Sequence, residues 1–472
     1  MILSLFYSVG ENGKLFVNVP GHEANGRGQI RGLAPLNITL DQALGIHARA
    51  LGELDRARVG LGAQLSDDDL RLAKVGSMET LKEEGRTLSL AFLSPDIIQF
   101  LSPGTQVQHI EFVVDPRLNG IPFEMMFVHG EFLGFRFGVS RRMNFQITRN
   151  IPRQSGILPY RGVSILDPQE NANGVARVAY GEFQAQWKQE LKSQWIEFDR
   201  ANPAREPVSS ATFESLLRLG EIVNHMGHHS LQGGFGMADR SWGASGWTGA
   251  LRQGDVAPLS FFTLGCDAAM SSGWDERWYE ADCPLRGVVD AALRSGVHHF
   301  IGALKPVPQL RVQRLFFPYY KALVEGYPPD EALRRARLAL RLKADDPYDG
   351  GTVLGLLFVL YLHASLTPAD SYFCASGHRC GEMGGRLCDF DQGTLGRCGK
   401  VLCEQDLGWA ELRCPEHRSQ PLCDQGHQVI GDEKKRCSDP QKRHPGETRI
   451  VCPLCGSGYV GAALCSDCYA TR

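Results

Sequence analysis

The chain opens on two short runs in which apolar and polar residues alternate, residues 3–9 (LSLFYSV) and 14–19 (KLFVNV), with Gly10-Glu-Asn-Gly13 between them. Alternation with period two on either side of a Gly/Asn turn predicts a β-hairpin. The period then lengthens. Over residues 40–90 the apolar positions recur at helical spacing, as in LDQALGIHARALGELDRA, and predict amphipathic helix. Residues 109–116 (HIEFVVDP) read as a strand ending at a turn, and residues 130–142 (GEFLGFRFGVSRR) as a second strand after a glycine turn.

From about residue 160 the pattern changes again. Short β-branched or aromatic runs at 162–168, 195–199, 221–226, 259–266, 298–304 and 354–362 alternate with helical stretches at 181–193, 211–220, 286–296, 311–326 and 329–343. Strands that alternate with helices imply an α/β fold with a mostly parallel sheet flanked by helices. In such sheets the functional groups gather beyond the carboxyl ends of the strands.

Composition narrows the class. Of 472 residues 43% are hydrophobic and 22% charged, so the chain has enough apolar surface to build a core and is not disordered as a whole. A net charge of −3 favours neither nucleic acid nor a membrane surface as a general partner. The start, MILSLFYSVGENG, lacks the basic residues of a secretory signal, and the late apolar run Val353–Leu362 is too short to span a bilayer. A cytoplasmic protein with no membrane role is the expectation.

Cysteine is distributed unevenly. None of the 14 lies before Cys266; Cys266 and Cys283 follow, and the other twelve fall between Cys374 and Cys468. In a reducing compartment such a cluster reads as metal ligation before disulfides. The chain therefore divides near residue 366.

Two strand ends carry chemistry. One is Glu221-Ile-Val-Asn-His-Met-Gly-His-His-Ser230; the other is Leu259-Ser-Phe-Phe-Thr-Leu-Gly-Cys-Asp267. A thiol becomes a nucleophile when an imidazole within reach takes its proton. Backbone N–H groups near Gly227 and at Cys266 offer themselves to the oxyanion of an acyl-transfer intermediate. The bland alternatives are an inert cysteine packed at a strand end, and a histidine cluster that is a polar edge or a metal site.

Beyond these two patches, residues 1–366 resemble the CHAT domain family, caspase-like cysteine proteases of the clan that also holds separases, clostripain and legumain. Ile121-Pro-Phe-Glu124 with the strand after it, EIVNHMGHHS and TLGCDAAM carry the likeness. So do LRSGVHHFIGALKPV, GYPPDEALRRARLAL and DPYDGGTVLGLLFVLY, in the family's order. The resemblance implies a caspase–hemoglobinase-like fold, with a pseudo-caspase part at 1–158 and a catalytic part at 159–366. It places Cys266 as nucleophile and His228, which follows Gly227, as general base, with Gly227 and His229 serving the oxyanion through their backbone. His229 stands where the family has glycine, and Asn224 where it has a first histidine; a shifted register would make His229 the base. Asp267, beside the thiol, either reads a basic substrate residue or is a solvated loop acid, and Asp239, Asp255 and Glu276 share that ambiguity. The stretch SWGASGWTGALRQGD reads as a mobile wall of the cleft, and Glu124 as a structural partner of the Arg-rich segment.

The tail is compositionally distinct, weak in hydrophobic residues and rich in glycine. Cys374-x3-His378-x9-Cys388 recurs 49 residues later as Cys423-x3-His427-x9-Cys437. Cys398-x4-Cys403-x10-Cys414-x2-His417 corresponds to Cys452-x2-Cys455-x9-Cys465-x2-Cys468, the last set resembling a zinc ribbon. With Cys380 and His444 the count reaches twelve Cys and four His, enough for four closed tetrahedral Zn²⁺ sites, two in each repeat (367–420 and 421–472). Such ions are structural, and catalysis at Cys266 requires none of them.

The functional reading is a regulated cysteine endopeptidase that cleaves a partner protein, an activity the resemblance links to bacterial stress or anti-phage (antiviral defence) responses. Its zinc module would engage an activating or sensor protein; nucleic acid is disfavoured, since only Lys434–Arg436 with Lys442 and Arg443 form a small basic cluster. The competing reading is an inactive protease-like scaffold whose zinc module binds a protein or nucleic-acid partner.

Overall fold

In the computed structural model, the described residues are 2–10, 12–22, 30–60, 67–105, 107–143, 160–166, 175–190, 196–199, 207–230, 234–251, 257–270, 287–306, 313–342, 350–363 and 366. In the tail they are 386–387, 400–402, 422–423 and 459–460. The opening hairpin forms as the alternation predicts. Strands β1 (Ile2–Val9) and β2 (Lys14–His22) pair antiparallel, with alternate residues of β1 buried, and β3 (Ile30–Thr39) extends the edge. The helical period over 40–90 gives two helices, Leu40–Gly60 and Asp67–Phe92.

Strand β4 (His109–Val114) follows, then a two-residue hairpin of β5 (Phe127–Val128) and β6 (Glu131–Phe132), and β7 (Gly138–Met143). The segment read as one strand over 130–142 is broken by a helical turn, Leu133–Arg136. The break is tertiary in origin. The Gly134 carbonyl accepts from Arg337, a residue 203 positions away, and Gly134 has no room for a Cβ beside Glu124.

The remaining strands follow the predicted runs: β8 (Tyr160–Leu166), β9 (Ile196–Asp199), β10 (Ile222–Met226), three short strands β11 (His229–Ser230), β12 (Gly234–Gly236) and β13 (Ser241–Trp242), then β14 (Ser260–Thr263), β15 (His299–Ala303) and β16 (Phe358–Leu362). The first half of the apolar run 354–362 is helical, within Gly350–Leu357, and only its second half is strand. Every residue there is apolar or glycine, so periodicity has nothing to distinguish the two states. Arg337, fully buried, donates to the carbonyls of Gly355 (3.0 Å) and Phe358 (2.7 Å), where helix gives way to strand.

One eleven-stranded sheet runs through the chain in the order β3-β2-β1-β4-β7-β16-β15-β14-β10-β8-β9, flanked by helices. β1, β4, β7 and β16 are mutually parallel, as are β15, β14, β10, β8 and β9; the direction reverses between β15 and β16. The carboxyl rim of β10, β14 and β15 therefore lies on the same side as the amino ends of β4 and β7. Every strand from β14 to β16 is fully buried, as parallel-sheet strands between helical layers are.

The seam where β7 meets β16, at the register pair Arg141 and Tyr361, holds a wholly buried ion pair. Arg141 and Glu124 form an ion pair with both side chains 0% exposed, and the guanidinium lies over the rings of Phe123 and Tyr361, 5.3 and 5.6 Å from their centroids. Glu124 is the structural partner that its sequence setting predicts. Nearby, His109 and Asp330 are bonded at 2.7 Å, both buried, and Gly138 passes so close that a Cβ would stand 2.7 Å from the Asp330 carboxylate. Asp330 opens the helix Pro329–Leu342, and Glu331 beside it binds Arg334 and Arg335.

Deleting one member of a buried ion pair strands the other charge, at a cost of about 3–5 kcal/mol. Glu124→Ala is therefore expected to lose about that much stability in denaturant unfolding, and Glu124→Met with Arg141→Met to recover a large part of it.

Candidate active site

Strand β10 lies between β8 and β14, with His225 opposite Thr263 in the parallel register. Three residues beyond that point in each strand stand His228 and Cys266, so the sheet brings the two sequence-predicted ends to one rim. His225 is wholly buried; its Nδ1 pairs with Thr263 Oγ1 at 3.0 Å, and the same hydroxyl accepts from the Gly265 N–H at 2.8 Å. The Leu264 N–H donates to the His225 carbonyl. The turn that carries the thiol is thus held to β10 by a side chain and by backbone.

After β10 the chain passes a buried Gly227 and an exposed His228, then enters β11. His229 points the other way. It is 8% exposed, its Nδ1–H donates to the Cys266 carbonyl at 2.7 Å, and its Nε2 has no hydrogen-bond partner among the described residues. That bond fixes the tautomer with the lone pair on Nε2. Gly265 is glycine for a steric reason, since a Cβ there would lie 2.8 Å from the His229 Cβ. The pair His229 and Phe235 is the non-hydrogen-bonded kind, because the neighbouring bond runs from the Gly236 N–H to the His228 carbonyl. The His229 N–H consequently faces away from β12.

Cys266 is half-buried, and Asp267 after it adopts φ +54°, a left-handed conformation that non-glycine residues seldom take. The Ala268 and Met270 N–H groups close the turn onto the carbonyls of Gly265 and Asp267.

Aromatic rings pack behind the histidines. Phe235 lies 4.6 Å from the His225 ring and 5.0 Å from that of His229, with Phe213 and Phe261 completing the cluster. Burial pushes His229 down to about 4, against the opposing pull of its bond to the Cys266 carbonyl. His225 falls to about 3, from burial first and then from the neighbouring imidazoles of His229 and His228. Both are neutral at pH 7.

The stretch read as a mobile cleft wall is built differently over its described part. Trp242 and Trp247 are buried against each other (5.1 Å) and against Phe213 and Phe261, and Gly246 leaves Trp242 no gap. The tryptophans make this segment core, a role that residue type could have signalled and glycine content obscured. Asp239 accepts from both the backbone N–H and the hydroxyl of Ser210 at the start of helix Ser210–Leu219; the backbone bond is the first cause that holds its carboxyl below the usual range. Its ambiguity resolves toward structure. Asp255 and Glu276 lie outside the described residues.

So do the proposed zinc ligands Cys374, His378, Cys380, Cys388, Cys398, Cys403, Cys414, His417, His427, Cys437, His444, Cys452, Cys455, Cys465 and Cys468; of Cys423 the backbone alone is described, in a short strand. Among the described residues no group of three or more His, Cys, Asp or Glu could hold a metal ion, and no helix is long and apolar enough to cross a membrane.

Residues 266–379 match the model of the CHAT domain family. The matched stretch begins at the thiol and covers less than half of the chain. It supports the likeness read from the cysteine-strand and downstream motifs. Among solved structures, the Saccharomyces cerevisiae separase–securin complex at 3.0 Å resolution aligns with a TM-score of 0.47 and 11% identity, over 76% of this chain and 30% of that one. The same complex at 2.6 Å aligns with a TM-score of 0.46 and 12% identity over the same shares. This chain thus spans under a third of the length of the one it aligns with. No curated protein sequence matches it.

The buried imidazoles make the fold acid-sensitive. His225 and His298 sit at about 3, and His47, His229 and His363 at about 4, each depressed chiefly by burial from an ordinary 6.5. The unfolded chain takes up protons that the folded one refuses. Stability is therefore full above about pH 6.5 and is lost as pH falls toward 4, by about 1.4 kcal/mol per group for each tenfold difference in proton affinity. Thermal unfolding followed from pH 7.5 to 4 is expected to show a steep fall in Tm that begins below 6.5; a flat profile contradicts the assignment of neutral buried histidines.

Proposed function

We propose that the chain is a caspase-like cysteine endopeptidase. The observation that carries this reading is the adjacency of β10 and β14, whose register puts His228 and Cys266 at equivalent points beyond one sheet rim. In the proposed reaction the Cys266 thiol gives its proton to His228 and its sulfur attacks the substrate carbonyl carbon. His228 returns the proton to the leaving amine, and water then hydrolyses the thioester. The N–H groups of Cys266 and His229, with Gly227 shaping the turn, receive the oxyanion; the outward-facing His229 N–H supports that role. His229 holds the thiol-bearing turn through the Cys266 carbonyl.

A specific observation favours a second assignment within the same reaction. His229, not His228, has its ring bonded to the cysteine residue, and its Nε2 lone pair is unused among the described residues. Its depressed basicity makes it a weak proton acceptor in the resting protein, which is why His228 is preferred. Alkylation of the full chain by iodoacetamide across pH separates these cases. Cys266 is expected to react at least tenfold faster near neutral pH than a free thiol, with the advantage abolished in His228→Ala and reduced in His229→Ala. The reverse ranking moves the base to His229. Reactivity no greater than that of a free thiol supports the inactive scaffold.

The substrate is proposed to be a partner protein, with cleavage regulated through the tail in a stress or anti-phage setting. The tail would hold four structural Zn²⁺ ions on its sixteen Cys and His residues. When bound, the metal supplies cross-links that replace a hydrophobic core. The donor set fits, since all sixteen are thiolate or imidazole donors at recurring spacing. Two antiparallel ladders lie one in each proposed repeat, Arg386–Leu387 with Val401–Leu402 and Leu422–Cys423 with Tyr459–Val460. Leu387 and Leu402 each directly precede a proposed ligand in sequence. Metal counting on the purified full chain is expected to give four zinc per molecule, falling to three in Cys452→Ser with Cys455→Ser. A metal-free chain with the same proteolytic resistance of residues 367–472 contradicts the proposal.

A further inference from the structure

The turn that follows Cys266 is gripped from three separate parts of the chain, two of them remote from the reacting groups. From β15, the Ala303 carbonyl accepts the Ala269 N–H at 3.0 Å, and Gly302 leaves its Cβ space to the backbone of Ala268 and Ala269. From β16, the buried Tyr361 hydroxyl donates to the Ala269 carbonyl (3.1 Å) and shares its proton with Asn119 Oδ1. From the amino-terminal half, Gly120, at φ +94°, lies against Met270. A Cβ at Gly120 would stand 3.0 Å from the Met270 sulfur and terminal methyl, and 3.6 Å from the His47 ring.

These contacts surround the left-handed residue Asp267. A non-glycine residue with positive φ relaxes toward the common basins unless its neighbours over-determine it. Here the over-determining contacts fall on the three residues after it, and two of the contributors, Asn119 and Gly120, belong to the half of the chain that contributes no proposed reacting group. The Tyr361 ring is itself fixed from that half, since it sits under the Arg141 guanidinium at the seam.

We propose that Tyr361 is a positioning residue that locks the turn at Cys266–Met270, and that Asn119 tunes this lock as the second acceptor of the same hydroxyl proton, so that the amino-terminal half of the chain sets how the thiol is presented. The proposal rests on Cys266 being the reacting group only for its consequence; the lock itself is a property of the turn. Two readouts keep these apart. Hydrogen exchange at the Ala269 and Met270 amides reports the lock, because their N–H groups close onto Ala303 and Asp267. Iodoacetamide alkylation of Cys266 across pH reports its effect on the thiol.

In Tyr361→Phe, which keeps the ring and removes only the hydroxyl, exchange at Ala269 and Met270 is expected to rise about tenfold, while amides in β10 and β14 stay protected. The alkylation rate near neutral pH falls severalfold and its midpoint moves toward that of a free thiol. Asn119→Ala removes the competing acceptor, so the hydroxyl donates to the Ala269 carbonyl alone and exchange at 269 and 270 is expected to fall; near-ultraviolet circular dichroism establishes that each variant is folded. Unchanged exchange at 269 and 270 in either folded variant overturns the lock. Raised exchange with a wild-type thiol that is no more reactive than free cysteine keeps the lock and removes the peptidase reading instead.

Discussion

The ion pair between Arg141 and Glu124 sits where the two halves of the sheet meet, and much of the molecule is arranged around it. A guanidinium and a carboxylate removed from water are tolerable only when each satisfies the other and the surroundings are polarisable. The rings of Phe123 and Tyr361 supply that surrounding. The constraint spreads outward: it fixes the Tyr361 ring, and it aligns β7 with β16 at a single register point. It also places Glu124 within 4.0 Å of Arg337, which in turn ties three elements together by their carbonyls. A seam made of apolar residues alone would slide more readily than one pinned by directional bonds.

Two strands along the same sheet, from β16 to β14, the chemistry is arranged by burial. Neutral imidazoles packed among phenylalanines make a dry, rigid wall behind the thiol, and hydrogen bonds there are worth more than in water. His225 acts through Thr263 on Gly265, and His229 acts directly on the Cys266 carbonyl. The thiol-bearing turn is thus held from its histidine side as well as from the seam. That double restraint is the physical basis for keeping Asp267 in a conformation it would otherwise leave.

Much of the fold was legible because it is written in local periodicity. The hairpin β1–β2, the helices over 40–92 and the strand runs at β8, β10, β14 and β15 follow from apolar spacing within a few residues. So does the convergence of the two strand ends, since alternating strands and helices force a parallel sheet whose carboxyl rim collects them. Three readings failed, each because a packing partner outranked the local pattern. The strand read over 130–142 is interrupted by a bond from Arg337, the run 354–362 splits where Arg337 takes two carbonyls, and the glycine-rich stretch after residue 240 is pinned by two buried tryptophans. Arg337 lies 203 positions from the first of these and 18 and 21 positions from the carbonyls of the second, whereas in the third the tryptophans are within the stretch and it is their packing on Phe213 and Phe261 that periodicity does not reveal.

The sequence by itself determined the element types, the α/β class, the candidacy of Cys266 with the histidines near 228, and the recurring ligand spacing of the tail. Each is a pattern complete within a short window. Only the tertiary structure decided that His229, and not its neighbour, folds onto the cysteine residue. It alone revealed that Asp239 serves a helix start, and that the Tyr361 hydroxyl, which reaches a carbonyl of the thiol turn, also bonds Asn119, 242 positions away in the chain. Adjacent residues at a strand end differ by half a turn of the backbone, and remote ones meet only through the register of the whole sheet; neither quantity is encoded in any local stretch of sequence.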